Sequence, residues 1–184
     1  MKQKSKTSRF IEYLEILKGC RDRGALAALR RGLGSVPGST PEMHPYIARW
    51  AHGEPTRWRE DVYYLVASLF AYHPQSWHRS DEAGPTNLGA SFACIAKDKD
   101  NDSSGSDSVE NRFMILLTVP REDLHLHLRH AISLLKTREQ SVDWTQLLDD
   151  LKFWGHEDGW VQRNWARAFW GWGAPEDSNS DANA

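Results

Sequence analysis

Along most of the chain, apolar residues return every three or four positions, the spacing of one face of an α-helix. Ser, Thr, Asp and Asn stand where such runs begin, and Gly or Pro where they end. This pattern predicts a helix over 8–18, capped by Ser8, with Phe10, Tyr13, Leu14 and Leu17 on one face. A second helix starts from Asp22 and stops at Gly32 and Gly34; a turn-rich connector, SVPGSTP, follows over 35–41. Pro41 opens a short helix to Trp50. Thr56 opens a longer one to Tyr72, ended by Pro74. Asn87 caps 88–97, whose Gly89, Ala90 and Ala93 suit close packing, and 121–138 is amphipathic, with Leu124, Leu128, Ile132 and Leu135 as its core stripe. Helices over 144–154, capped by Asp143, and 157–170 complete the set.

One element is ambiguous. The stretch 108–119 ends in the apolar, partly β-branched residues FMILLTV, which suit a strand. No second convincing strand exists to pair with it, so a buried helix is expected. The fold class expected is all-α, with eight or nine helices; the length fits one domain and leaves two helical lobes possible. The organisation expected is a basic arm (1–9), an N-terminal lobe (10–97), an acidic flexible loop (98–108), a C-terminal lobe (109–171) and a disordered acidic tail (172–184).

Charge changes this picture. The formal net charge of 184 residues is −2. Residues 98–110 hold five acids and one lysine, and the tail from Ala174 holds Glu176, Asp177 and Asp181. Set aside, these segments leave a body of +5, which points to polyanionic partners. Apolar runs such as 113–117 are too short to cross a bilayer, and the basic start lacks the apolar stretch of a signal peptide. No membrane partner and a cytoplasmic location are the expectations. Cys20 and Cys94 show no zinc spacing and read as small buried apolar residues.

Catalytic chemistry finds little footing. Asp149–Asp150 and Glu122–Asp123 are adjacent pairs, and neighbours on a helix diverge by about 100°, so they read as surface or N-terminal charge. Of His125, His127 and His130, only the last two share a face, without an acid or cysteine at ligand spacing. A small helical metalloenzyme using that pair is the remote alternative. Phosphate-binding, dinucleotide and nucleophile-elbow motifs are missing from the sequence. No enzyme activity, metal or cofactor is expected. Nine tryptophans invite a base-stacking reading. Trp50, Trp58, Trp144, Trp154 and Trp165 sit among leucines and read as core, while Trp170 and Trp172 suit a protein interface.

The basic residues remain. Lys18 and Arg21 end the first helix and Arg30 and Arg31 the second. Arg112 begins the ambiguous element, and Arg129 and Lys136 lie seven apart on one face, with Arg138 near that helix's end. Arg163 and Arg167 pair on the last helix. Guanidinium forks suit phosphates, and residues spread over several helices can follow a backbone without reading bases.

In order along the chain come AALRRGL (27–33), AYHP (71–74), NLGASF (87–92), ENRFMILL (110–117), LRHAISLL (128–135), VDW (142–144) and FWG (153–155). Together they resemble the CasB family, the small subunit of the type I-E CRISPR Cascade surveillance complex, over roughly residues 10–171. The resemblance implies a non-catalytic, all-helical subunit of two small packed bundles, present in two copies packed head to tail. It implies contacts with the backbone and large subunits, CRISPR RNA and target DNA, and a basic surface that steadies the displaced strand of the R-loop. That role carries over to Arg31, Arg112 and Arg129, and less directly to Lys18, Arg21, Arg30, Lys136 and Arg138. Where many members hold a second basic residue after the Leu-Arg pair, this chain has His130. The other class of function open to it is a purely structural bridge without nucleic-acid contact.

Overall fold

The computed structural model describes residues 4–77, 85–97 and 103–171. They form nine α-helices: α1 (Lys6–Gly19), α2 (Arg23–Arg31), α3 (His44–Ala51), α4 (Arg57–Tyr72), α5 (Leu88–Lys97), α6 (Ser103–Thr118), α7 (Leu124–Thr137), α8 (Trp144–Lys152) and α9 (Trp160–Trp170). A 3₁₀ turn, Pro41–Met43, leads into α3. Over the ambiguous stretch the chain is helical to Thr118, as expected, although only one side of it is buried: Val109, Phe113 and Leu116 are covered while Met114 and Ile115 are exposed. The one β-type contact among the described residues is an isolated parallel bridge, Ser76 to Val142. None of the described helices is long and apolar enough to cross a membrane.

Several ends are set by predicted caps. The Asp22, Thr56, Asn87 and Asp143 side chains accept the N–H of Ala25, Arg59, Ala90 and Gln146. Other ends differ. Ser5, not Ser8, caps α1, and the Ser8 N–H is instead the donor to it at 3.1 Å. α6 starts at Ser103, so the chain is helical over 103–108 where a loop was expected. α7 begins at Leu124, leaving Glu122 and Asp123 in the turn before it, and α9 begins at Trp160 after the left-handed Gly159. Residues 98–102, the acidic tail and Trp172 lie outside the described residues.

α2 and α3 pack on α4, and α5 packs on α6, α7 and α9; α8 lies against α4 and α1, and α7 against α4. One continuous hydrophobic cluster runs through both groups. Trp144, Trp154 and Trp165 are fully buried. Each indole N–H finds an acceptor: Gln75 O at 3.1 Å, Val119 O at 3.0 Å and Asp150 Oδ2 at 2.6 Å. Truncating any of these costs about 3–5 kcal/mol. Trp50 and Trp58 pack half-buried at the edge, and Trp170 is 47% exposed. The cysteines depart from expectation: Cys20 is exposed, at the capping position after α1, and Cys94 is only half-buried.

Candidate nucleic-acid interface

Arg30 and Arg31 end α2, both exposed. Arg30 Nε donates to Leu26 O at 3.3 Å, which holds it along its own helix. Arg31 Nη1 pairs with Glu42 Oε1 at 3.1 Å, with both side chains largely solvated. Glu42's carboxyl is held below the ordinary range by its own backbone N–H, with Arg31 adding to the effect. An exposed pair of this kind contributes little to stability, so a phosphate can replace the carboxylate on Arg31 at small cost.

Three residues past Arg31 the chain turns through Gly34 at φ +79°. The Arg129 side chain of α7 lies on that glycine: a Cβ there would stand 2.7 Å from Arg129 Nη1 and 3.2 Å from its Cδ. A larger residue there would be strained by the left-handed backbone and would push the Arg129 side chain aside. The turn thus joins the α2 arginines to the α7 arginine, about a hundred positions apart in sequence.

His125, one helical turn before Arg129, lies with Val36 and Pro37 of the same turn and with Arg57, Trp58, Asp61, Arg121 and Glu122 around a cleft of about 250 Å³. Arg121 donates from Nε and Nη2 to Trp154 O at 3.1 and 2.8 Å, and its guanidinium stands 5.2 Å from the Trp58 ring centre. Lys136, at the far end of the α4–α7 seam, donates to Tyr72 O at 2.9 Å and sits 3.9 Å over the Tyr72 ring. It closes the C-terminal end of α4, where a cation also suits the helix dipole.

The other predicted residues are placed elsewhere. Arg112 lies across α7 from this face, in a groove of about 480 Å³ between α6 and α7 that also holds His127 and His130. His125 and His127 therefore serve different faces of one helix. Lys18 pairs with Glu15 at 3.0 Å, and Arg21 is exposed in the turn between α1 and α2 at φ +52°. Arg138 is exposed at the end of α7. Arg167 lines a separate hollow beside Thr86, Asn87 and Gly171.

Sequence reasoning missed Arg57 and Arg121. Arg57 carried a signal: it opens α4, where the helix dipole favours acids, and its guanidinium is 88% exposed with Asp61 only at 3.9 Å. Its one recorded ion pair, with Asp61 a turn along the helix, is loose and leaves the guanidinium open to solvent. Arg121 carried none, because its partners are 33 and 63 residues away.

The profile of the CRISPR-associated protein Cse2 family matches residues 25–170. The chain belongs to this family. The Cse2 protein of Thermus thermophilus is 34% identical over 171 residues, 92% of each chain. The crystal structure of CasB from Thermus thermophilus aligns with a TM-score of 0.73 at 32% identity, covering 91% of this chain and 99% of that one. A chain of a CRISPR RNA-guided surveillance complex aligns with a TM-score of 0.71 at 29% identity, over 89% of this chain and 91% of that one. Within the Cse2 frame, the Gly34–Arg129 contact lies inside the matched span, as do Arg57 and Arg121. Among the described residues no group of three or more His, Cys, Asp or Glu side chains is gathered as metal ligands would be.

Proposed function

We propose that this Cse2-family chain is a non-catalytic subunit of the Cascade surveillance complex. It holds nucleic acid by its phosphates on the face built from Arg30, Arg31, Arg129 and Arg57. The observation that carries this reading is the seating of the exposed Arg129 on Gly34, three residues past the exposed Arg31. The likeness to a chain of a CRISPR RNA-guided surveillance complex supports the setting. In that setting the partners are the other subunits, a second copy of the chain, CRISPR RNA and the displaced strand of target DNA, all in the cytoplasm. Exchange of a DNA duplex for an RNA–DNA duplex is nearly balanced, so a few phosphate contacts are enough to bias it.

A second reading, a protein–protein bridge, draws on exposed apolar side chains: Ile16 and Val36 are 61% and 62% exposed, Met114 and Leu126 are exposed on α6 and α7, and Ile115 lines the groove between those helices. One experiment separates the two. The complex is reconstituted with and without the protein, and R-loop lifetime is measured against salt. Arg31→Glu with Arg129→Glu is expected to shorten the lifetime as much as omission does, at every target sequence, with the complex still assembled. Binding to single strands loses about 0.7 from its log–log salt slope for each contact removed. An unchanged lifetime leaves the bridge as the function.

A further inference from the structure

The cleft beside Arg129 has chemistry that phosphate binding does not use. Its walls carry two carboxylates, Asp61 and Glu122, against two guanidiniums, Arg57 and Arg121. Arg121 is spent on the Trp154 carbonyl. The cleft therefore offers a phosphate no net attraction. Trp58 forms one wall and is fixed by its N–H bond to Leu151 O at 2.7 Å. The volume, about 250 Å³, lies below that of drug-sized sites and suits one planar ring system.

Asp61 is the cleft's least satisfied group: it has a loose ion pair with Arg57 one turn away and no hydrogen bond among the described residues. Its side chain is 23% exposed, and its nearest cation, Arg57 Nε, stops at 3.9 Å, beyond hydrogen-bond distance. Burial accordingly holds its carboxyl above the usual range, with Arg57 opposing and Glu60 adding to the rise. A carboxylate in this state gains most from a ligand that brings N–H donors and no negative charge.

We infer that this cleft receives one unstacked base of the strand held by Arg31 and Arg129, with Asp61 accepting hydrogen bonds from the edge of the base and Trp58 walling its ring. The inference rests on the nucleic-acid reading above. Guanine is the preferred base, because its N1–H and exocyclic amino group stand side by side and match the two oxygens of a carboxylate. Adenine and cytosine offer an amino group alone, and thymine an imino N–H alone. Single-stranded nucleic acid is commonly read in this way, by splaying a base from the backbone onto an aromatic wall and a polar edge.

The test uses the full chain and labelled eight-nucleotide single strands, with affinity read by fluorescence anisotropy at low salt. One strand is all thymine, one carries a single central guanine, and one carries inosine there, which lacks the amino group. The guanine strand is expected to bind about five- to tenfold more tightly than the thymine strand, and inosine to lose most of that gain. Asp61→Asn is expected to bring the guanine-to-thymine ratio close to one. The inosine comparison needs no variant, so it decides the matter even if Asp61→Asn fails to fold. Equal affinity for all three strands, with Arg129→Glu weakening each alike, overturns the base pocket and leaves the phosphate face standing. Absence of binding to any strand overturns both.

Discussion

Asp149 and Asp150 are identical neighbours with opposite fates, because one residue along a helix is a rotation of about 100°. Asp149 stays at the surface and accepts from Thr7 Oγ1 at 2.6 Å. Asp150 is 3% exposed and accepts from the Trp165 indole and from Gln146 Nε2 at 2.9 Å. The surface role expected for the pair holds for the first and not for the second. Burial pushes the Asp150 carboxyl up to about 6, against the lowering effect of its two donors. A carboxyl raised in the folded state adds stability that is full below its unfolded value, near 4, and lost as pH climbs to about 6. At neutral pH the charged form costs on the order of 2–3 kcal/mol. Asp150→Asn is expected to raise the urea midpoint at pH 7 and to remove this part of the pH dependence, since Gln146 can turn its amide to match. Parallel profiles for the two proteins between pH 4 and 7 would show that Asp150 does not titrate in this way. The buried His73, whose protonation burial disfavours, is present in both proteins and cancels from the comparison.

At the scale of elements, the tightest contact is between α5 and α9. A Cβ on Gly89 would stand 2.0 Å from Trp165 O and 2.7 Å from its carbonyl carbon, both rigid backbone. The run of small residues was legible in the sequence as a close-packing helix, but the partner helix was not. In an exposed helix, glycine to alanine gains about 1 kcal/mol. Here the sign reverses, because the two helices must separate. Gly89→Ala is expected to lower stability by about 3 kcal/mol or more, measured by urea denaturation. A neutral or stabilising result would mean that α5 and α9 do not approach so closely. Helix α6 teaches the same lesson. Its β-branched end suited a strand, and the lack of a second strand to pair with it pointed to the helix that forms; which aromatic residues cover it, Phe92 and Phe169 through Phe113, was not legible.

At the scale of the whole molecule, the basic face depends on a joint between a turn and a distant helix. Gly34→Ala removes no charge, yet it strains a backbone at φ +79° and displaces Arg129. It is expected to cost about 1–2 kcal/mol of stability and to weaken single-strand binding severalfold, measured by thermal melting and anisotropy. Gly53→Ala is the control: its φ is +82°, but nothing lies within 4 Å of the added carbon. The control is expected to lose stability alone. Equal losses of binding in both variants would detach Arg129 from the proposed face.

By itself, the sequence determined the helical class, most of the caps, the buried tryptophans and which cations were candidates. These follow from local periodicity, from side chains that bond backbone groups three residues away, and from the size of the apolar surface to be hidden. Tertiary structure alone decided which candidates meet. Arg129 meets Gly34, three residues past Arg31, Lys136 closes α4, Arg112 faces a different groove, and Arg57 and Arg121 share a cleft with His125 unannounced. The reason is physical: a helix period says which side of its own axis a residue occupies, while the direction in which that side looks is set by packing against helices distant in the chain.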